Sequence, residues 1–168
     1  QYSFAAYPQV FINYGPHDNY FILKEYGFVI SRNPYNYVSL DDEFLELNVP
    51  GETDEAREQK IELLKAKGFF GDYTIHCQND ISFRLLCALR LRLLASFDSR
   101  RPVTYAAWEK VVMGERELVD ERNERGVYEC LGIMCERVVA RAGVALEMLD
   151  IAIGVLTKCQ LARLDGPE

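Results

Sequence analysis

The stretch "NDISFRLLCALRLRLLAS", residues 79–96, most constrains what this chain can fold into. Its spacing predicts a helix, and its apolar residues cover most of the helical circumference. A helix of that kind has to be surrounded by other elements, so it is expected at the centre of a helical body. Asn79 or Asp80 is the expected N-cap. Arg84, Arg90 and Arg92 interrupt the apolar run. They are expected to pair with local acids or to lay their stems along the core, and their charge argues against a membrane span.

The flanking segments agree with a helical body. "TDEAREQKIELLKAKGF" predicts a helix with Thr53 as N-cap, acids in its first turn, lysines in its last and Gly68 at its end. "TYAAWEKVV" predicts another, capped by Thr104, with Tyr105, Trp108 and Val112 on one side. From Val127, the positions Leu131, Met134, Val138 and Ala142 keep helical spacing, with Gly143 as an expected break before a last helix.

The N-terminal third reads differently. Residues 2–5 and 9–14 are rich in Tyr, Phe, Val and Ile and predict strands. "GPHDN" predicts a turn, Asp18 or Asn19 a helix cap, and Gly27 a left-handed stop after a short helix ending near Tyr26. Residues 30–37 predict a loop around Asn33-Pro34, "DEFLELNVP" a short strand, and "DYTIHC" a short extended piece. The fold class is therefore α+β. Residues 1–50 are mostly β and loop, residues 51–168 are mostly helical, and the expected join is at Pro50-Gly51.

Charge narrows the partners. The net charge of −7 argues against a nucleic-acid surface and suits a basic protein or peptide. Five Cys, four of them within apolar helical patterns, are expected as buried reduced thiols, which implies a cytoplasmic or nuclear setting. Cys130 and Cys135 have no common zinc spacing, and neither of the two His falls in a ligand cluster, so no metal is expected. No signal peptide or membrane span is expected.

The stretch "QVFINYGPHDNYFILKEYGFV", residues 9–29, places a Tyr-Gly pair at each end of a short helix. Taken one residue at a time, these tyrosines read as packing residues, Asn19 as a residue that caps and fixes the turn, and His17 as a solvent-facing turn residue. The string as a whole resembles the end of the catalytic domain in SET-domain methyltransferases of the Rubisco large-subunit methyltransferase type. "NPYNYV" is similar to the segment that follows in that family. "GFFGDYTIHCQNDISFRLLCALRL" is similar to the start of its helical substrate-binding domain. The resemblance is dense over residues 9–38 and moderate over 68–95.

That resemblance implies a protein-lysine N-methyltransferase using S-adenosyl-L-methionine on a protein substrate that carries a target lysine. It implies Tyr14 as the catalytic phenol, also touching the cofactor. It implies Tyr26 and Phe28 as residues lining the lysine channel and the cofactor edge. Residues 1–50 would be the C-terminal part of the SET domain, and 51–168 the helical substrate-binding domain. The family's glycine-rich cofactor segment and Asn-His pair have no counterpart here, and no Gly-x-Gly occurs. The chain alone is therefore expected to bind the cofactor poorly and to be inactive. No Cys-rich zinc tail follows Tyr26-Gly27-Phe28, which favours the non-histone branch. Histidine methylation and a catalytically inactive protein-binding module are the alternatives.

Overall fold

The computed structural model describes residues 15–77, 80–94 and 102–164, with residues 102–104 and 161–164 described by backbone alone. The strands expected over 2–5 and 9–14 lie outside the described residues. A small two-stranded sheet is joined to a predominantly α-helical body, the architecture read from the sequence.

The body is built around α4, Phe83–Arg92, where Leu85, Cys87, Ala88, Leu89 and Leu91 are fully buried. α4 packs against α3 (Asp54–Ala66), α5 (Pro102–Val112) and α6 (Glu121–Leu164). Its cap is Ser82, whose hydroxyl accepts from Leu85 N–H and also from Thr74 N–H at 3.1 Å. One side chain thus ties α4 to the sheet and replaces the cap expected at Asn79 or Asp80. The cap of α3 is Thr53, as expected, accepting from Ala56 N–H.

Three local expectations are corrected. The stretch expected as a strand from Asp42 contributes to a helix, α2, Asp41–Glu46, with three acids in its first turn. Acidic residues there favour the helix dipole, and short apolar runs do not by themselves separate strand from helix. α5 starts at Pro102, so Thr104 lies within the helix and is not its cap. A proline in the first turn loses nothing, because its missing N–H would have no helical partner. α6 runs straight through Gly143 for 44 residues. A glycine in a helix costs about 1 kcal/mol against alanine, which does not stop a long helix.

The sheet is antiparallel. β1 (Tyr37–Ser39) pairs with β2 (Thr74–His76), with Tyr37 opposite His76 and Ser39 opposite Thr74. The core cluster draws Leu40, Phe44, Leu47 and Val49 together with Leu64, Leu85, Trp108, Val127 and Met134. Residues on both sides of Pro50-Gly51 therefore share one core. Trp108 is fully buried and its indole N–H donates to the Cys87 carbonyl at 2.8 Å. Gly126 lies close to α4: a Cβ there would sit 3.2 Å from the Leu93 side chain, which would have to shift by a few tenths of an ångström.

The arginines behave as expected. Arg90 makes a two-bond pair with Glu124, both bonds 2.8 Å. Arg92 donates to Glu52 and to the carbonyls of Phe44 and Leu47 at 2.8 and 2.9 Å. Buried Lys60 shares Glu52 at 3.1 Å and donates to the carbonyls of Arg92 and Leu94. Burial lowers the pKa of Lys60, while Glu52 opposes that shift. The thiols depart from expectation: Cys87 and Cys130 are buried, Cys135 is half-buried, and Cys77 and Cys159 are exposed. Among the described residues, no helix is long and apolar enough to cross a membrane.

Candidate functional site

The candidate site is organised by α1, Asn19–Tyr26. Asp18 caps it by accepting from Phe21 N–H, and Gly27 closes it at φ 76°, a left-handed conformation that glycine adopts without strain. Both features were legible in the sequence. α1 buries only Ile22 among its residues, so apolar packing holds it weakly.

Two asparagines supply the rest. Asn19 clamps the backbone of Ile30, accepting from its N–H at 3.0 Å and donating to its carbonyl at 2.9 Å. Asn33 is buried and donates to the His17 carbonyl at 2.8 Å and to the Asn19 side chain at 3.1 Å. Its own oxygen accepts from Tyr35 N–H. Asn19 N–H donates to the Asn36 side chain. The segment after Gly27 is thus folded back onto the start of α1 by amides. Asn19 fixes this turn as expected, and the cap belongs to Asp18.

The result is a row of rings. His17 stacks on Phe21 with centroids 4.1 Å apart. Phe21 meets the edge of Tyr26 at 6.2 Å, and Tyr26 lies 6.3 Å from Phe28. Tyr26 and Phe28 are therefore brought together, 44 and 42 % exposed. Tyr14 lies outside the described residues. His17, expected to face solvent, is half-buried against Phe21. Stacking on a ring one helical turn away withdraws it from water.

The sequence reading missed Asn33 as an organiser. The signal was the Asn33-Pro34 pair, read only as a loop marker, although a buried loop needs a polar side chain to satisfy its backbone. It also missed Tyr35, Tyr37 and His76 as neighbours of this row. Chain distance hid them, because His76 arrives through the pairing of β2 with β1. On the helical side, Tyr105 and Trp108 pack between helices. The Tyr105 hydroxyl donates to Glu109, which also receives Lys67 at 3.0 Å. Both hydrogen bonds hold the Glu109 carboxyl below its ordinary pKa. Among the described residues, no group of three or more His, Cys, Asp or Glu is placed to hold a metal ion.

No family model matches the chain, and no solved structure gives a significant match. Curated proteins do. SET domain-containing protein 4 of Mus musculus is 35 % identical over 142 residues, covering 84 % of this chain and 30 % of that protein. SET domain-containing protein 4 of Homo sapiens is 32 % identical over the same length. Ribosomal lysine N-methyltransferase 2 of Saccharomyces cerevisiae is 44 % identical over 81 residues, covering 48 % of this chain and 16 % of that protein. The chain spans less than a third of the length of these relatives. Two of them carry the SET domain in their names and the third a lysine methyltransferase activity, and the chain is homologous to that family of SET-domain and lysine-methyltransferase proteins.

Proposed function

We propose that this chain is the C-terminal portion of an S-adenosyl-L-methionine-dependent protein-lysine N-methyltransferase of the Rubisco large-subunit methyltransferase type, acting on a non-histone protein in the cytoplasm or nucleus. In this reading residues 1–50 end the catalytic domain and residues 51–168 form the substrate-binding domain. The observation that carries it is the pairing of Tyr26 and Phe28 across Gly27, in a chain homologous to SET-domain lysine methyltransferases. The ribosomal substrate class in the yeast relative's name supports a non-histone target. The net charge of −7 suits a lysine-rich one.

The residues account for the chemistry. A free lysine amine has a pKa of about 10.4 and is almost wholly protonated at neutral pH, so it cannot attack. Once the upstream part of the catalytic domain covers them, the rings of Tyr26 and Phe28 would form an apolar wall that disfavours the ammonium and favours the neutral amine. The Tyr14 hydroxyl would accept or donate a hydrogen bond at the amine and aim its lone pair. The sulfonium charge of the bound cofactor would push the same way, because it disfavours a second cation beside it. When bound, the cofactor supplies the methyl group that the amine takes in an in-line displacement.

The test is calorimetric binding of S-adenosyl-L-methionine to this chain and to a version extended upstream in the same gene, followed by methyl transfer to a basic protein. Binding and turnover gained with the extension are expected. Tyr14→Phe in the extended protein is expected to reduce turnover by about 100-fold or more with little change in cofactor binding, because only the polar handle is removed. Full activity of that variant would refute the role of Tyr14. A second reading, a protein-binding module without turnover, is supported by the exposure of Tyr26 and Phe28. An extended protein that binds no cofactor would favour it.

A further inference from the structure

We propose that an open hollow beside α1 binds a cationic side chain, lysine or arginine, presented by a basic peptide segment. The hollow has a volume of about 480 Å3 and is walled by the rings of His17, Tyr20, Phe21, Tyr35, Tyr37 and His76. Among the described residues, no lysine or arginine lines it, and the carboxylate that does is Asp18. Tyr20, Tyr35 and Tyr37 are 77, 51 and 46 % exposed, an unusual concentration of ring surface left at water.

The rings come from three places in the fold and are held there. His17 and Phe21 are stacked at the start of α1. Tyr35 is fixed through its backbone N–H by buried Asn33. Tyr37 and His76 face each other across the two-stranded sheet with centroids 5.5 Å apart. A cation that seats over one of these rings is attracted by the ring quadrupole, and the Asp18 carboxylate, which also caps α1, and a net charge of −7 add to that attraction. A neutral proline-rich segment could also seat on aromatic rings, but it would gain nothing from Asp18 or the net charge. Phe21 joins this hollow to the row that runs on to Tyr26 and Phe28, and binding there needs neither cofactor nor turnover.

The test is a titration of the 168-residue chain, followed by aromatic-ring NMR, with acetyl-Gly-Gly-Lys-Gly-Gly-amide at about pH 8. The norleucine counterpart and acetyl-Ala-Pro-Pro-Ala-Pro-amide are the comparison probes. Saturable shifts of Tyr20, Tyr35 and Tyr37 are expected, with the lysine peptide binding at least about fivefold more tightly than the norleucine one. Tyr20→Leu and Tyr35→Leu should each weaken binding about three- to fivefold, with amide spectra that show the fold intact. Tyr128→Leu, on the exposed side of α6, should leave binding unchanged. Equal or tighter binding of the norleucine or proline probe, indifference to the Tyr20 and Tyr35 changes, or no saturable shift would each overturn the proposal.

Discussion

Residues 121–138 of α6 and residues 139–160 share one continuous helix and live in opposite surroundings. In the first part Val127 and Met134 are fully buried, and Asn123 and Glu124 bond to Arg90 on α4. In the second part Val144, Leu146, Met148 and Ile151 are all more than half exposed. The sequence of the second part is not that of a solvent helix. Between residues 143 and 157, Gly143, Glu147, Asp150, Gly154 and Thr157 fall at spacings of three and four, one narrow stripe, and the other residues of that stretch are all apolar. A helix patterned in this way is made to be covered on most sides. Secondary structure was fixed by local periodicity, whereas burial depends on what lies alongside.

That contrast can be broken by mutation. The largest effect is expected at Glu52, which compensates two buried cations, Lys60 and Arg92. Glu52→Gln leaves them without their carboxylate and should cost about 3–5 kcal/mol of unfolding free energy in urea titration. Glu147→Gln on the distal half should change stability by less than about 0.5 kcal/mol. Met134→Ala empties a buried position and should cost about 2–5 kcal/mol, whereas Met148→Ala should stay within about 0.5 kcal/mol. If Met148→Ala costs as much as Met134→Ala, the distal half is packed in solution and the contrast fails.

Thiol chemistry sharpens the same comparison. Burial pushes the Cys87 thiol up from 9.0 to about 11, and burial also raises Cys130. A folded pKa above the unfolded one contributes stability below pH 9 that is lost as pH rises through about 11. The loss is expected to be on the order of 2 kcal/mol, read as a falling urea midpoint over that window. In native buffer, Cys159 should react with a thiol reagent at a rate near that of a free peptide, and Cys130, on the same helix, only through opening. Equal rates would again remove the contrast. A smaller effect than those at Glu52 and Met134 is expected at Asn19. Asn19→Ala removes the two-point clamp on Ile30 and should cost about 1–2 kcal/mol, with loosening seen as faster amide exchange at Ile30.

Local signals carried much of the fold and of the site. Asp18, Thr53 and Gly27 act where the sequence placed them, because caps and left-handed stops depend on neighbouring residues. The helical body and the central position of α4 followed from apolar spacing. What could not be read depended on distant partners. Ser82 caps α4 while also holding Thr74, and Asn33 is drawn inside by His17 and Asn19. Asp41–Glu46 became a helix against a strand-like apolar pattern, with Phe44 buried in the shared core. The family resemblance named Tyr26 and Phe28 together, and they do lie side by side, but it did not name the third ring beside them, Phe21.

The bonds made by Arg92 span 40, 45 and 48 residues, to Glu52, Leu47 and Phe44. Closing that long loop has an entropic cost before any of these bonds forms, so they are expected to form late in folding. α3 and α4 can each grow early from local contacts, yet the guanidinium on α4 gains its partners only when the chain before α3 arrives. Changes at Glu52 should therefore appear chiefly in the unfolding rate, with the rate of folding barely altered.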